Sequence, residues 1–541
     1  MRIVNVAQMV ELEKEANQRG LTFEKMMENA GKGLAIFVHK NHYKNPGQTV
    51  LGLIGNGNNG GDTLIALTTL LEEGWNAKAY LVKERNPSDP LISNFRSAGG
   101  ELAESSGDRS FFLLKKWLKE TDVVLDGIIG TGVQLPLRGD VPKALSLIKK
   151  VQSSAIIVAV DCPSGVDCDS GETPAESLQA DQTVCLAAVK AGLLKKPAYS
   201  FTGDITVVDI GLPKTLNGWK KVNGEVLTQA NTAGLIPNRE LDSHKGSFGT
   251  CIIVAGSINY CGAALLASKG AYRVGTGLVR AAIPGAIYDT LAGQLPEATW
   301  LVLPHTDGIF NREAVPVLIK NLDRISSLLI GPGIGMQEET RQFIESLLKG
   351  EAESPKYGRA MGFSESLENH KPKKPTAFPP MVIDADALKL LNKIENWWKK
   401  LPIDSILTPH PGEMSVLTGL SIDEIQNARV EIACEFAKKW GQVVVLKGAM
   451  TVIANPNGKY AINPIATSAL ATAGTGDVLA GMIAGFLAQG LDAYSAAKIG
   501  AWIHARAGQI AAEKIGNEAS VMAGDIADAI PNALKSTTGI I

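Results

Sequence analysis

Over the first 210 residues, short and nearly continuous apolar runs alternate with amphipathic segments of helical spacing. The runs are TVLGLIG (49 to 55), AKAYLV (77 to 82), DVVLDGI (122 to 128), AIIVAVD (155 to 161), QTVCLAA (182 to 188) and DITVVDI (204 to 210). They lack the strict alternation of a strand with one wet face. A strand covered by helices on both faces has this pattern, so the spacing predicts a parallel α/β sheet. Between about 213 and 246 the rhythm fades into PKTLNGWKKVNGE and IPNRELDSHKGSFG, which reads as a linker into a second domain. A second α/β series then runs through TCIIVAG (250 to 256), GLVRAAI, SLLIGPG, MVIDAD, SILTPH and QVVVLKG. After residue 475 small and apolar residues recur at helical spacing, in GDVLAGMIAGFLAQG and AYSAAKIGAWIHARAGQIAAEK. Residues 351 to 378 are polar and rich in Pro, Lys and Glu, and are expected to form a mobile surface insertion. No repeat of fixed period relates the two halves.

A chain of 541 residues is too long for one core, which agrees with two domains, here expected at 1–218 and 225–541. Lys and Arg number 53 against 55 Asp and Glu, so no bulk charge draws the chain to nucleic acid or to an anionic membrane. Small molecules are the expected partners. The six cysteines (Cys162, Cys168, Cys185, Cys251, Cys261, Cys434) form no CxxC pair, which indicates neither zinc nor a disulfide framework and fits a reducing cytoplasm. The N-terminus lacks a signal-peptide core, and the longest nearly apolar stretch, VLAGMIAGFLAQGL, is too short to span a bilayer.

Candidate chemistry in the first half sits where strands end. GNGNNGGDT (55 to 63) leads from a strand into a helix-like segment, at the sheet edge where backbone N–H groups favour anions. It matches neither GxGxxG nor a Walker loop. Asn58 and Asn59 can lend amides and Asp62 could cap the helix; a tight turn with an N-cap is the plainer alternative. LDGIIGTG ends its strand with Asp126, and VDCPSGVD supplies Asp161, Ser164 and Asp167. Each acid alone could be a loop or cap residue. Together, Asn59, Asp126, Asp161 and Ser164 could meet in one crevice, and an oxygen-rich set without His or Cys suits a hard cation.

NGNNGGD, LDGIIGTG and VDCPSGVD together resemble the NAD(P)H-hydrate epimerase (YjeF N-terminal) family over nearly all of residues 1 to 215. The resemblance implies a Rossmann-like domain that interconverts the R and S hydrates of NADH and NADPH. It implies substrate contacts at Asn58, Asn59, Gly60, Gly61, Asp62, Gly130, Thr131, Gly132, Val133, Gln134, Leu135, Pro136 and Asp161, and potassium held near Asn59, Asp126 and Ser164. Thr63 stands where the family usually has glycine, and is expected to tighten the loop and slow turnover without abolishing binding. Inverting a hydroxyl-bearing carbon beside a ring nitrogen needs ring opening or proton transfer, and Asp161 is the candidate acid/base.

In the second half, ATAGTGDVLAGMIAGFLAQG places a GTGD turn (474 to 477) at a helix start, with N–H groups facing a phosphate and Asp477 facing a hydroxyl. A glycine turn with an Asp cap is the alternative. Its companions GSFGTCIIVAGS, VGTGLV, IGPGIG, VIDADAL, LTPHPGEM and VVLKGAMTVI resemble the ADP/ATP-dependent NAD(P)H-hydrate dehydratases, which have a ribokinase-like fold. The resemblance implies that Asp477 is the acid/base, that Lys447, Gly448, Ala449, Met450, Thr451 and Gly476 contact the adenine nucleotide, and that Ala263, Gly335 and His410 join Asp477 on the hydrate. Taken alone, His410 in its turn would be a solvated histidine. Cys261 stands where relatives often carry serine. Magnesium and potassium are the implied ions, and fusion of the halves, a bacterial and archaeal arrangement, favours ADP over ATP. The implied outcome is dehydration of the S hydrate alone, with release of AMP and phosphate, by a homo-oligomer. Two rivals remain: a small-molecule kinase of the hydroxymethylpyrimidine or hydroxyethylthiazole type, and a non-catalytic binding module in the first half, as related domains form in RNA-associated scaffolds.

Overall fold

In the computed structural model, which describes residues 1–151, 154–351 and 378–539, the apolar runs of the first half pair into one sheet. Its order is Glu101–Glu104, Asn76–Leu81, Thr49–Ile54, Val123–Gly127, Ile156–Val160, Gln182–Leu186, Asp204–Val208, with every neighbouring pair parallel. Alternate residues of each strand feed opposite faces. Val50, Ile54 and Val123 pack with Leu34, Val38, Leu64 and Leu67 on one side, while Leu51, Leu53 and Val124 pack with Leu114, Trp117, Leu145 and Ile148 on the other. That double burial explains why the runs show no polar alternation. The edge strand Glu101–Glu104, sequence ELAE, has no apolar run to betray it.

The chain moves outward from Thr49–Ile54 to Asn76–Leu81 and Glu101–Glu104, then returns to Val123–Gly127 on the other flank of Thr49–Ile54. This reversal opens a crevice at the carboxyl ends of the two central strands, the place where open α/β sheets bind ligands.

The chain divides into two units, Met1–Val226 and Leu227–Ile541. Part of the segment read as linker is structured: Gly224–Val226 is a strand that pairs antiparallel with Arg2–Val4, and Gln229–Ala233 is a short helix. The insertion expected at 351 to 378 lies outside the described residues except at its two ends.

In the second unit, Thr299–Leu303, Leu278–Pro284, Thr250–Val254, Ser327–Ile330, Met381–Ile383, Ile406–Leu407 and Val443–Leu446 lie side by side and parallel. Thr451–Ala454 and Tyr460–Asn463 extend them antiparallel. The helix Thr475–Ala488, buried along nearly its whole length, packs on Cys261–Arg273. Small residues permit that approach: a methyl on Gly481 would lie 2.0 Å from the Ala267 carbonyl oxygen, and one on Gly270 would lie 2.5 Å from that of Val478. Ala493–Ile515 and Ala523–Thr538 complete the helical end. No helix among the described residues is long and apolar enough to cross a membrane.

Candidate functional site

The stretch GNGNNGGDT is mostly helix. Gly57 is the N-cap and the helix runs Asn58–Glu72, so Asp62 lies inside the second turn and does not cap. The glycines serve close approach: a methyl on Gly60 would sit 2.2 Å from the Gly55 carbonyl oxygen, and one on Gly61 would sit 2.9 Å from the Met27 sulfur. Thr63 is likewise helical and fully buried. Its hydroxyl donates to the Asn59 carbonyl at 2.7 Å, so it braces a helix turn and cannot tighten a loop.

Across the crevice, Asp126 is fully buried and accepts the Ser164 hydroxyl at 2.5 Å and the Ser164 N–H at 2.8 Å. Burial raises its carboxyl while the Ser164 bonds oppose the shift. The Ser164 oxygen in turn accepts from the Ile129 N–H at 3.0 Å. Asn59 packs against Gly130, and its Nδ2 is buried without a hydrogen-bond partner.

Asn58, Asn59, Asp62, Gly130, Thr131 and Asp161 line one cleft of about 490 Å³. Gly132, Val133, Gln134, Leu135 and Pro136 do not line it, and Gly60 and Gly61 are buried helix positions. Asp161 adopts φ +65° and accepts the Leu186 N–H at 2.9 Å and the Lys190 ammonium. Lys190 is fully buried. Burial is the largest influence and opposes its charge, but the influences led by the Asp161 carboxylate together raise its pKa. Burial, joined by the charges of Asp161 and Glu13, pushes Asp62 well above the usual carboxylate range.

In the second unit, Gly474 takes the left-handed conformation at φ +89° and starts the helix Thr475–Ala488, with Asp477 in its first turn. Burial pushes Asp477 up to about 7; the Asp384 charge adds to the shift and Lys447 opposes it. Lys447 reaches beneath the turn, its Nζ 3.6 Å from where a methyl on Gly476 would lie. There it meets Asp384 at 2.7 Å and Glu413 at 3.8 Å, and Asp384 also accepts the Thr408 hydroxyl at 2.8 Å. His410 caps the helix Pro411–Thr418: its Nδ1 accepts from Gly412 N–H at 3.0 Å, and its Nε2 lies 3.3 Å from Glu413. Burial lowers its pKa and Glu413 opposes that. The Gly335 N–H donates to Asp386 at 3.0 Å, and a methyl on the neighbouring Gly333 would meet the Ala263 methyl at 2.8 Å. Gly448 (φ +136°) and Met450 (φ +54°) turn the chain from Lys447 into the Thr451 strand, and Ala449 lies between them.

Two family models match in tandem: the YjeF-related protein N-terminus over residues 23–192 and NAD(P)H-hydrate dehydratase over 251–532. The bifunctional NAD(P)H-hydrate repair enzyme Nnr of Moorella thermoacetica is 35% identical over 547 residues, covering 99% of this chain and 97% of the relative. The chain belongs to the bifunctional NAD(P)H-hydrate repair enzymes. Another repair enzyme of this name, from Thermofilum pendens, is 32% identical over 99% of the chain and 97% of its own length. A solved Bacillus subtilis ADP/ATP-dependent NAD(P)H-hydrate dehydratase, crystallised with ATP and magnesium, covers 58% of the chain and 98% of itself at 30% identity and TM-score 0.47.

In this repair enzyme, sequence reasoning missed Lys190, Glu13, Asp384 and His504. Lys190 left one signal, a lone charge inside the apolar run QTVCLAAVKAGLL. His504 is buried on Ala493–Ile515, bonds the Thr475 backbone beneath the GTGD turn, and leaves Nε2 unpartnered. Burial drops its pKa to about 4.

Proposed function

We propose that the first unit interconverts the R and S hydrates of NADH and NADPH, and that the second dehydrates the S hydrate at the expense of ADP, or of ATP in its place, releasing AMP and phosphate when ADP is used. The observation that carries the second half is Asp477: a carboxyl poised near neutrality at a helix N-terminus, over the Lys447–Asp384 pair. A base must accept a proton near the working pH, and helix amides favour phosphate oxygens. Asp477 takes the proton of the hydrate hydroxyl while that oxygen attacks the terminal phosphoryl group. The N–H groups of the GTGD turn stabilise the transferring charge. Phosphate then leaves with a proton from the neighbouring ring carbon, restoring the reduced nicotinamide. Lys447, Gly448, Ala449, Met450, Thr451 and Gly476 would hold the nucleotide; Ala263, Gly335 and His410 would hold the hydrate. Among the described residues no cluster of acids, histidines and cysteines stands ready for a metal, so magnesium would arrive on the nucleotide phosphates.

In the first unit, Asn58 to Asp62, Gly130, Thr131 and Asp161 would hold the hydrate, and Gly132 to Pro136, which lie outside the cleft's lining, would add further contacts. A potassium ion fits Asn59, Asp126 and Ser164. Asp126 is buried with no lysine or arginine against it among the described residues, and the Asn59 Nδ2 donor makes no bond that would stop the amide from turning its oxygen to the ion. Such a cation would supply the charge that this carboxylate lacks and fix the Asn59 side chain. All six cysteines are free, which supports a reducing cytoplasm. Relatives that match both halves in one chain favour repair over a kinase with a silent partner domain.

The test supplies a mixed-epimer NADH hydrate with magnesium, potassium and ADP or ATP, and follows the near-ultraviolet absorbance of reduced nicotinamide. Recovery is expected in wild type and a loss of at least about 100-fold in Asp477→Asn. Wild type without recovery on either nucleotide would end the reading.

A further inference from the structure

Among the five acids that line the first unit's cleft, Asp62 and Asp161 stand in opposite electrostatic circumstances. Asp161 is pinned by the Leu186 N–H and by the fully buried Lys190, which also donates to the Leu186 carbonyl at 3.0 Å. Asp161 is thus the carboxylate against which the buried Lys190 ammonium is paired. Asp62 stands on the same wall, 6% exposed, and no hydrogen bond holds its carboxyl among the described residues. The charges of Asp161, of Glu13 from Val6–Gln18, of Lys190 and of Arg85 act on it, and Glu24 from Phe23–His42 and Asp89 line the same cleft. Arg85 lies behind the helix start and is committed to Asp89 at 2.7 Å and to the Gly55 and Gly57 carbonyls. Acids therefore outnumber free cations around Asp62, and burial adds to the cost of its charge.

We propose that Asp62 is the general acid of the epimerase and that Asp161 is its ionised partner. The proposal rests on the epimerase function given above. In the hydrate, C6 carries a hydroxyl and is bonded to the ring nitrogen. The C6–N1 bond breaks, its electron pair goes to N1, and N1 takes the proton of Asp62. The hydroxyl proton passes to Asp161 as the C6 carbonyl forms. Rotation about C5–C6 presents the other face, N1 attacks it, and both protons return; nothing is oxidised or reduced. One neutral and one ionised carboxyl are needed together, and their surroundings set them apart in that sense.

The experiment uses the full chain without nucleotide and measures R-to-S conversion of NADH hydrate by chromatographic separation of the epimers, with the uncatalysed rate subtracted. Because the protonated form of Asp62 works, the wild-type rate is expected to fall, and not to rise, as pH is raised. Asp62→Asn should lose at least about 100-fold in kcat, and the wild-type minus Asp62→Asn infrared difference at neutral pH should contain a carboxylic-acid band. Wild type that converts epimers at a flat or rising rate with pH overturns the assignment while sparing the epimerase, as does a variant within about threefold of wild type. Wild type that fails to convert the epimers overturns both.

Discussion

Thr63 fills the space under Gly127: a methyl on that glycine would fall 1.9 Å from the Thr63 hydroxyl oxygen and 3.2 Å from the Asn59 carbonyl oxygen. The pair thus locks the first helix turns against the central strand end, with Asn59 between them and the Asp126–Ser164 bonds beyond. Gly127→Ala is expected to destabilise the first unit by about 3 kcal/mol through overpacking, and Thr63→Gly by about 1–2 kcal/mol through lost contacts and backbone freedom. In the double variant the methyl has room, so urea unfolding should show the two costs falling short of their sum by at least about 1 kcal/mol. Strict additivity would mean that the residues do not meet. Asn59, Asp126 and Ser164 were legible in sequence because each follows an apolar run, and strand ends of a parallel sheet share one edge. Lys190 and Glu13 were not, because a buried ion pair is specified by distant segments and Glu13 lies in an ordinary charged helix.

The GTGD helix was legible as an element, since a glycine turn, an acid and a small apolar repeat coincide; what lies beneath it was not. Asp477 and His504 flank its first turn with opposite linkages. Folding raises Asp477 from its ordinary 3.8 to about 7, so the folded chain holds an extra proton in that window and loses stability as pH rises through it. Folding lowers His504 from 6.5 to about 4, so the unfolded chain takes a proton that the folded one refuses, and stability is lost as pH falls through that range. The two slopes oppose each other between about pH 4 and about 6.5 in wild type. Urea midpoints across this range should therefore rise with pH in Asp477→Asn relative to wild type and fall in His504→Asn. The Asp477→Asn gain should reach on the order of 1–3 kcal/mol by neutral pH. Variant curves parallel to wild type would show that neither group is shifted by the fold.

At the scale of the whole molecule, two sites of different chemistry lie in units that the sequence separates by a fading of its apolar rhythm. The segment taken for linker contains a strand that pairs with Arg2–Val4, and no periodicity signals that: the strand is three residues long and its partner lies at the other end of the unit. Joining the sites matters because the dehydratase half is expected to consume one epimer. Given mixed hydrate, wild type should restore absorbance to completion in a fast phase followed by a slower one limited by epimerisation. Asp161→Asn removes the partner of the buried Lys190, while every residue assigned to the dehydratase lies in the other unit. Its fast phase should keep wild-type amplitude and rate, and its slow phase should drop to the uncatalysed rate of epimer exchange, a loss of at least about 100-fold. If both phases slow together, Asp161 acts through the stability of the chain; if neither does, the epimerase half does not use it. Stopped-flow absorbance on purified R and S hydrates separates these outcomes, because a pure S sample should show the fast phase alone in either protein.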